Sequence, residues 1–191
     1  MENLLAETEA KLKIVESNVV FDFDKTLINP DTTLGFFLFE QFWTRKFCLC
    51  IHYCLLAALR RMGLITVGQV KLHLLNYWYS QESVSALSEK GIRYAKTLKL
   101  NELEYILREE LSRKGSKVWI ATASLDIWVE PLFASMGVAV LASSVHKNAG
   151  GRWVFVTHCY GDAKVEALKA KENAPEVPAG WQPKVYQNLA V

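Results

Sequence analysis

The stretch that decides the fold is Val20-Phe21-Asp22-Phe23-Asp24-Lys25-Thr26-Leu27. The apolar run that leads into it, from Val19 to Phe21, is rich in β-branched and aromatic side chains, which is typical of a buried strand. Asp22 and Asp24 follow at the point where the chain leaves that strand. Because ligands of open α/β sheets bind outside the carboxyl ends of the strands, the stretch predicts a functional site at this strand end.

The two carboxylates predict acid–base or nucleophilic chemistry assisted by a cation. At positions i and i+2 around a turn they can face one substrate, with Asp22 as nucleophile or metal ligand and Asp24 as general acid or base. Because two acids this close repel each other, Mg²⁺ is the natural third partner. The alternative is a solvated acidic loop, but the apolar strand before the pair and Thr26 after it favour a site.

The remaining pattern predicts an α/β fold. A long, mostly helical stretch separates the first strand from a second apolar run at 118–122, which is followed by a helical segment at 125–136. Strand, helix and strand in this order predict a parallel sheet. Further strands are predicted at 138–142 and 153–156, and a helix at 162–171.

Length and composition exclude several classes of protein. The 191 residues fit one domain carrying an insert, and 51% hydrophobic residues place the chain far from disordered proteins. With 22 Lys and Arg against 20 Asp and Glu, the chain lacks the electrostatic footprint expected of a nucleic-acid partner. The first residues lack the apolar core of a secretion signal, so a cytoplasmic location with reduced thiols is predicted.

Three segments, in order along the chain, are similar to the motifs of one family. Asp22–Thr26 matches the pattern DxDxT after a hydrophobic strand, Ile120–Ser124 is similar to the second motif and Tyr160–Val165 to the third. On these motifs the chain resembles the haloacid dehalogenase (HAD) superfamily of phosphohydrolases, from about residue 18 to residue 172. Within it, the subgroup containing phosphoserine phosphatases and phosphatidylglycerophosphatase C is the most similar.

The resemblance implies a Mg²⁺-dependent phosphomonoester hydrolase that works through an aspartyl phosphate. Its substrate would be a lipid phosphate, such as phosphatidylglycerophosphate, or a small phosphate ester. The implied catalytic residues are Asp22 as nucleophile, Asp24 as acid and base, Thr122 as hydrogen-bond donor to the phosphoryl group and Lys164 as the neutralising charge. The implied substrate-binding residues are Thr26, Thr122, Ala123 and Lys164. The implied metal ligands are Asp22 and Asp24.

The resemblance also implies a domain arrangement. It predicts a discontinuous Rossmann-like core made of residues 1–27 and 99–191, with a helical type 1 cap inserted at residues 28–98. A fourth family motif, acids after another hydrophobic strand, is not found. Lys184–Tyr186 can form the first half of that strand, and the amides Gln187 and Asn188 then fall where the acids are expected.

Two consequences follow from the missing motif. An amide oxygen is a weaker Mg²⁺ ligand than a carboxylate, so the alternative function is that of a truncated, catalytically weak or inactive homologue with a binding or interaction role. An incomplete sheet would also leave the strand at 19–23 as an exposed edge, which predicts self-association or cover by the tail at 184–191.

A final signal concerns membranes. The segment from Phe47 to Leu59 is mostly apolar, is bracketed by basic residues and is too short to span a bilayer. Two alternatives stay open for residues 45–61. They form either an interfacial helix that holds the protein peripherally at a membrane, or a buried helix of the cap.

Overall fold

The computed structural model describes residues 18–114, 116–161, 164 and 184–186, whose strands form one five-stranded sheet. The order across the sheet is β4-β3-β2-β1-β5, parallel except for the β3–β4 hairpin, which confirms the predicted α/β class. The predicted helix at 162–171, apart from Lys164, lies outside the described residues, as do Gln187 and Asn188. The strands are β1 (Asn18–Phe21), β2 (Lys117–Leu125), β3 (Ala139–Lys147), β4 (Trp153–Thr157) and β5 (Lys184–Tyr186).

The described helices fall into two groups. Between β1 and β2 lie α1 (Thr32–Leu38), α2 (Trp43–Arg61), α3 (Val67–Trp78), α4 (Val84–Ala95) and α5 (Glu104–Ser112), and α6 (Asp126–Phe133) connects β2 to β3. Local signals position several ends. Asp31 caps α1 by accepting from the amides of Thr33 and Leu34, and Thr66 forms a capping box with Gln69 at the start of α3.

The edge of β1 is covered by the tail. Strand β5 pairs with β1 in parallel, with Val20 opposite Val185, while β2 pairs with β1 on the other side. Of the two predicted consequences of an incomplete sheet, cover by the tail is therefore the one that the structure contains. Val19 and Phe21 are completely buried beneath this arrangement.

Aromatic stacking joins the helices of the insert to the sheet layer. The ring of Phe36 in α1 stacks on Trp128 in α6 with centroids 4.7 Å apart, and Phe23 meets Phe133 edge to face at 5.8 Å. These rings are all buried and belong to one apolar cluster that runs from the sheet into the insert. The division into a core and a cap at residues 28–98 stays a prediction.

Helix α2 is the exception to this burial. Of its 19 residues, only Leu49 and Leu56 are buried. The alternative that residues 45–61 form a buried cap helix is therefore wrong, because the apolar residues between the two basic ends mostly face outward. Within the described ranges, no helix combines the length and apolar character needed to cross a bilayer.

Candidate active site

The loop after β1 is wound tightly around one carbonyl group. The carbonyl oxygen of Phe23 accepts from the amides of Thr26, Leu27 and Ile28 at 3.2, 2.9 and 3.1 Å. Lys25 adopts φ 61°, the left-handed conformation that this reversal requires. The loop thus turns the chain back on itself immediately beyond Asp22, which leaves that side chain at the end of the strand.

Asn101, which lies between α4 and α5, holds this loop. The Asn101 backbone amide donates to the carbonyl of Leu27 at 2.8 Å, and its side-chain amide donates to the carbonyl of Thr26 at 2.5 Å. Thr26, a predicted substrate-binding residue, is almost fully buried. These bonds fix the backbone that carries both predicted carboxylates.

The predicted nucleophile and the predicted lysine are in contact. Lys164 Nζ donates to Asp22 Oδ1 at 2.7 Å, although the two residues are 142 positions apart in the sequence. The Asp22 side chain is 32% exposed, so the charged pair of Asp22 and Lys164 lies at the carboxyl end of β1 and is accessible to solvent. The structure therefore brings together the first and third motifs.

Asp24 is held by hydroxyl and amide donors on both of its oxygens. Asp24 Oδ1 accepts from the Thr32 amide at 3.0 Å and from Thr32 Oγ1 at 2.6 Å, and Oδ2 accepts from Ser124 Oγ at 2.5 Å. Trp128 Nε1 in turn donates to Thr32 Oγ1 at 3.2 Å. Among the described residues Oδ2 accepts one of these bonds, so that oxygen retains a second acceptor position for a proton or a metal ion.

Thr122 lies at the same end of the sheet as Asp22. In the β1–β2 register Phe21, the last residue of β1, is opposite Ile120, so Asp22 and Thr122 lie one and two residues beyond a paired position. Thr122 is buried, and its Oγ1 accepts from the amide of Ser124 at 3.0 Å. Since the hydroxyl accepts in that bond, its own proton remains available for a phosphate oxygen.

A second lysine, which sequence reasoning missed, reaches the site from the insert. Lys71 in α3 is buried, and its Nζ donates to the carbonyl oxygen of Ala123. Burial lowers the pKa of Lys71 to about 8, and the carboxylates of Asp24 and Asp31 oppose that change. The available signal was its position in α3, where it lies among core positions such as Val70 and Leu74.

The turn after β4 also borders the site. Burial raises the pKa of the Cys159 thiol, and the nearby Lys164 opposes the rise. The neighbouring His158 has a lowered pKa because of burial and, secondarily, because of the Lys71 charge. The Cys159 amide donates to Ser143 Oγ at 3.1 Å, which anchors this turn to β3.

A small pocket adjoins Lys71. About 50 Å³ in volume, it is bordered by Asp31, Tyr53, Arg60 and Lys71, among other residues. Tyr53 Oη donates to Asp31 Oδ2 at 3.0 Å, and burial followed by the Asp31 charge raises the pKa of Tyr53 to about 12. A much larger cavity of about 730 Å³ lies between α2, α3 and the β3–β4 hairpin, and its lining contains none of the predicted site residues.

The carboxylates of the site suit a Mg²⁺ ion that is also bound by the phosphate group of a substrate. Across the part of the chain that the structure describes, no three His, Cys, Asp or Glu side chains form a metal-binding cluster. Mg²⁺, however, commonly binds through one or two carboxylates together with water and substrate phosphate. Asp22, with its accessible carboxylate, fits that pattern, whereas both Asp24 oxygens already accept hydrogen bonds.

Comparison with known proteins identifies the relatives of this architecture. A family model for haloacid dehalogenase-like hydrolases matches residues 19–182. No match was found among curated protein sequences. Several solved structures share the fold, at identities low enough that the likeness concerns the fold alone.

Three of these structures illustrate the likeness. A protein of unknown function from Bordetella pertussis Tohama I has a TM-score of 0.65 at 17% identity, covering 87% of this chain and 78% of that chain. A phosphoserine phosphohydrolase-like protein from Francisella tularensis subsp. tularensis SCHU S4 has a TM-score of 0.58 at 18% identity, covering 81% and 73%. A phosphoserine phosphatase with a phospho-aspartyl intermediate analogue has a TM-score of 0.58 at 19% identity, covering 85% and 74%.

Proposed function

We propose, from the premise that the chain belongs to the haloacid dehalogenase-like hydrolases, that it is a Mg²⁺-dependent phosphomonoester hydrolase. The observation that carries the proposal is the contact of 2.7 Å between Lys164 Nζ and Asp22 Oδ1 at the end of β1. A carboxylate at a strand end with an ammonium group beside it is suited to attack a phosphate whose charge would otherwise repel it.

The reaction proceeds in two displacements. In the first, an oxygen of Asp22 forms a bond to phosphorus, the bond from phosphorus to the ester oxygen breaks, and the leaving oxygen takes a proton from the Asp24 carboxyl group. In the second, the oxygen of water forms a bond to phosphorus, the bond from phosphorus to the Asp22 oxygen breaks, Asp24 takes the proton of that water, and inorganic phosphate leaves with the Asp22 carboxylate restored. Mg²⁺ held by Asp22 would supply charge neutralisation for the phosphate.

Asp24 can exchange a hydrogen bond when it takes this role. Its Oδ2 accepts from Ser124 Oγ, and that hydroxyl also lies 3.0 Å from Thr32 Oγ1. The two hydroxyls can therefore bond to each other when one carboxyl oxygen of Asp24 turns toward the leaving group. This exchange leaves no buried hydroxyl without a partner, so it carries little energetic cost.

Two cations and one hydroxyl would bind the phosphoryl group. Lys164 neutralises charge at Asp22, Thr122 donates its hydroxyl proton to a phosphate oxygen, and Lys71 adds a second ammonium from α3. Ala123, a predicted substrate-binding residue, presents its carbonyl to Lys71. Thr26 contributes through the backbone of its buried loop, where its carbonyl accepts from Asn101.

The substrate class contains two possibilities, a lipid phosphate and a small phosphate ester. The resemblance to phosphatidylglycerophosphatase C that the sequence motifs predict would favour the first. The solved structures described as phosphoserine phosphatase or a phosphoserine phosphohydrolase-like protein favour the second. A panel containing phosphatidylglycerophosphate, phosphoserine and small sugar phosphates, each assayed with Mg²⁺, ranks them by kcat/KM.

The test of the activity itself is Asp22→Asn assayed with an aryl phosphate and Mg²⁺. The amide cannot act as the nucleophile, so turnover is expected to fall about 10³-fold or more. Asp126→Asn is the matched control, because Asp126 lies at the start of α6 outside the site and its loss should leave turnover unchanged. Turnover that survives Asp22→Asn would refute the proposal.

The alternative is a catalytically weak or inactive homologue with a binding role, motivated by the amides Gln187 and Asn188. Mg²⁺ titration of the melting temperature separates the two functions. A rise in Tm at about millimolar Mg²⁺ that disappears in Asp22→Asn supports the enzyme, since the ion then binds the folded chain at Asp22. No turnover of any phosphate ester and no Mg²⁺ effect would favour the alternative.

A further inference from the structure

Helix α2 carries a continuous apolar stripe that faces away from the other residues that the structure describes. Trp43, Phe47, Ile51 and Leu55 follow one another at intervals of four residues, and their side chains are 76%, 66%, 48% and 61% exposed. Residues four apart lie on one face of a helix. An exposed apolar surface of this extent marks an interaction site. Further exposed apolar residues extend the stripe at its two ends: Phe42, Leu59, Met62 and Leu64.

The charged side chains of α2 itself all have one sign. From Gln41 to Gln81 the sequence contains no Asp or Glu. Arg45 and Lys46 lie near the start of α2, and Arg60 and Arg61 lie at its end, all of them exposed. A partner that covers the stripe must therefore present apolar surface bordered by negative charge.

A second copy of the chain does not meet that requirement. Parallel pairing of two α2 helices would place each basic end against the same basic end of the other copy. Antiparallel pairing would place the pair Arg45 and Lys46 against Arg60 and Arg61. Both arrangements oppose like charges, with no acidic side chain in the segment to separate them.

We infer that α2 docks on the surface of an anionic phospholipid bilayer, with its stripe in the boundary between headgroups and acyl chains. A helix of 19 residues is about 28 Å long, so the stripe lies along the surface with basic residues at both ends against lipid phosphates. Trp43 suits that boundary, which favours amphipathic rings, and Phe47 is typical of the apolar face of an interfacial helix. Docking of the stripe on lipid does not depend on catalytic activity of the chain.

The docked helix also borders the candidate active site. Tyr53 and Arg60, on a different face of α2 from the stripe, line the pocket that contains Lys71, and Lys71 contacts Ala123 at the end of β2. Docking would thus hold this pocket close to the headgroups. The further step, that a lipid phosphate is the substrate, rests on the proposed function, whereas docking does not.

The experiment is flotation of the full chain with vesicles of phosphatidylcholine alone or with about 30% phosphatidylglycerol. We expect binding to the anionic vesicles that weakens as salt is raised, because the attraction at the ends of α2 is screened. In the double variant Phe47→Ser and Leu55→Ser, binding should weaken at least about tenfold, since two large side chains no longer leave water. Ile92→Ser with Tyr105→Ser is the matched control, because these exposed apolar residues lie on α4 and α5.

The basic ends are tested separately. Lys46→Glu with Arg61→Glu should abolish the preference for anionic vesicles, whereas Lys96→Glu with Lys99→Glu, an equal change of charge elsewhere on the exposed surface, should retain it. Two results would overturn the inference. One is equal binding of both vesicle types. The other is no vesicle binding together with a dimer in sedimentation that dissociates in the double variant Phe47→Ser and Leu55→Ser. Turnover of a water-soluble aryl phosphate should be unchanged in the stripe variant, which distinguishes a failure of docking from a failure of the proposed enzyme.

Discussion

Lys71 and Lys164 bring two ammonium groups to one strand-end site in different electrostatic states. Lys164 is paired with a carboxylate, whereas Lys71 contacts the neutral carbonyl oxygen of Ala123. A buried ammonium with only a carbonyl partner keeps most of its desolvation cost, which explains why the pKa of Lys71 falls to about 8. A phosphate dianion would supply the missing negative charge, so binding of substrate and protonation of Lys71 should favour each other.

Lys71→Met is therefore expected to raise KM about tenfold with a smaller change in kcat, because the ammonium contacts bound phosphate before and during the reaction. In the wild type, KM should rise as the pH increases through about 8, where the Lys71 ammonium is lost. The pH dependence of KM in both proteins is the measurement, with the exposed Lys96→Met as control. A KM that rises through pH 8 equally in Lys71→Met would assign the titration to another group.

Which site residues could be predicted from sequence depends on how far apart their partners lie. Asp22 and Asp24 were evident because one short strand and turn contain both. The partners of Asp24 were not, since Ser124 is 100 positions away and Thr32 belongs to a helix whose placement only tertiary packing determines. Lys71 was missed for a related reason: its place among the core positions of α3 indicates burial, but only tertiary packing shows that its ammonium group reaches the site.

At the level of elements, helices α4 and α6 approach each other closely at one glycine. A Cβ atom added to Gly91 would lie 2.3 Å from the carbonyl oxygen of Ile127, a backbone atom that cannot move without shifting α6. The absence of a side chain at Gly91 therefore lets α4 pack directly on the helix that follows β2.

Gly91→Ala should destabilise the fold by about 1 to 2 kcal/mol in urea unfolding. The cost of overpacking, about 1 to 3 kcal/mol, exceeds the gain of about 0.5 to 1 kcal/mol from a better helix former. Gly150→Ala is the control, because the nearest atom to an added Cβ there is at an ordinary distance of 3.5 Å. Equal stability of the two variants would show that the helices separate at little cost.

Helix ends were predictable, but the environment of a helix face was not. The caps at Asp31 and Thr66 involve side chains within three residues of the amides they bind, so sequence alone specifies them. For α2, the same apolar spacing fits a helix buried in a cap and a helix that faces outward. Only the positions of its neighbours show that Leu49 and Leu56, rather than Phe47 and Leu55, point inward.

Strand β5 protects the edge of β1. Shortening the chain to end at Pro183 removes the strand that pairs with Val19, Val20 and Phe21 and exposes unpaired backbone groups beside apolar side chains. We expect concentration-dependent association in sedimentation. A variant that lacks only residues 187–191, and so keeps β5, should sediment like the full chain. A monomeric shortened chain would show that other contacts cover this edge.

At the scale of the whole molecule, a second buried ammonium joins the helices of the insert. Lys90 in α4 donates to the carbonyl of Phe39 at 2.8 Å and to Tyr79 Oη at 2.6 Å, and its Nζ lies 5.3 Å from the centre of the Phe36 ring. Burial lowers the pKa of Lys90 to about 8, as it does for Lys71. The fold therefore contains two lysines whose charged form is more costly in the folded state than in the unfolded chain.

This gives a pH dependence of stability with a definite sign. Below pH 8 both lysines are charged in the folded and the unfolded state, so the folded state carries the full desolvation cost. Between pH 8 and about 10 the folded chain loses these protons while the unfolded chain keeps them, so the unfolded state binds more protons and the free energy of unfolding rises. Above pH 10 the buried hydroxyls of Tyr53 and Tyr79, with pKa values raised to about 12, act in the opposite direction.

We therefore expect the free energy of unfolding in urea to increase by about 5 kcal/mol from pH 7.5 to pH 10. Lys90→Met should remove about half of that increase, because Lys71 still contributes, and the double variant Lys71→Met and Lys90→Met should show almost none. Lys96→Met, which removes an exposed ammonium from the C-terminal end of α4, should retain the full increase. Stability that falls steadily over this pH range in the wild type would mean that the two ammonium groups are better solvated than their positions in the fold indicate.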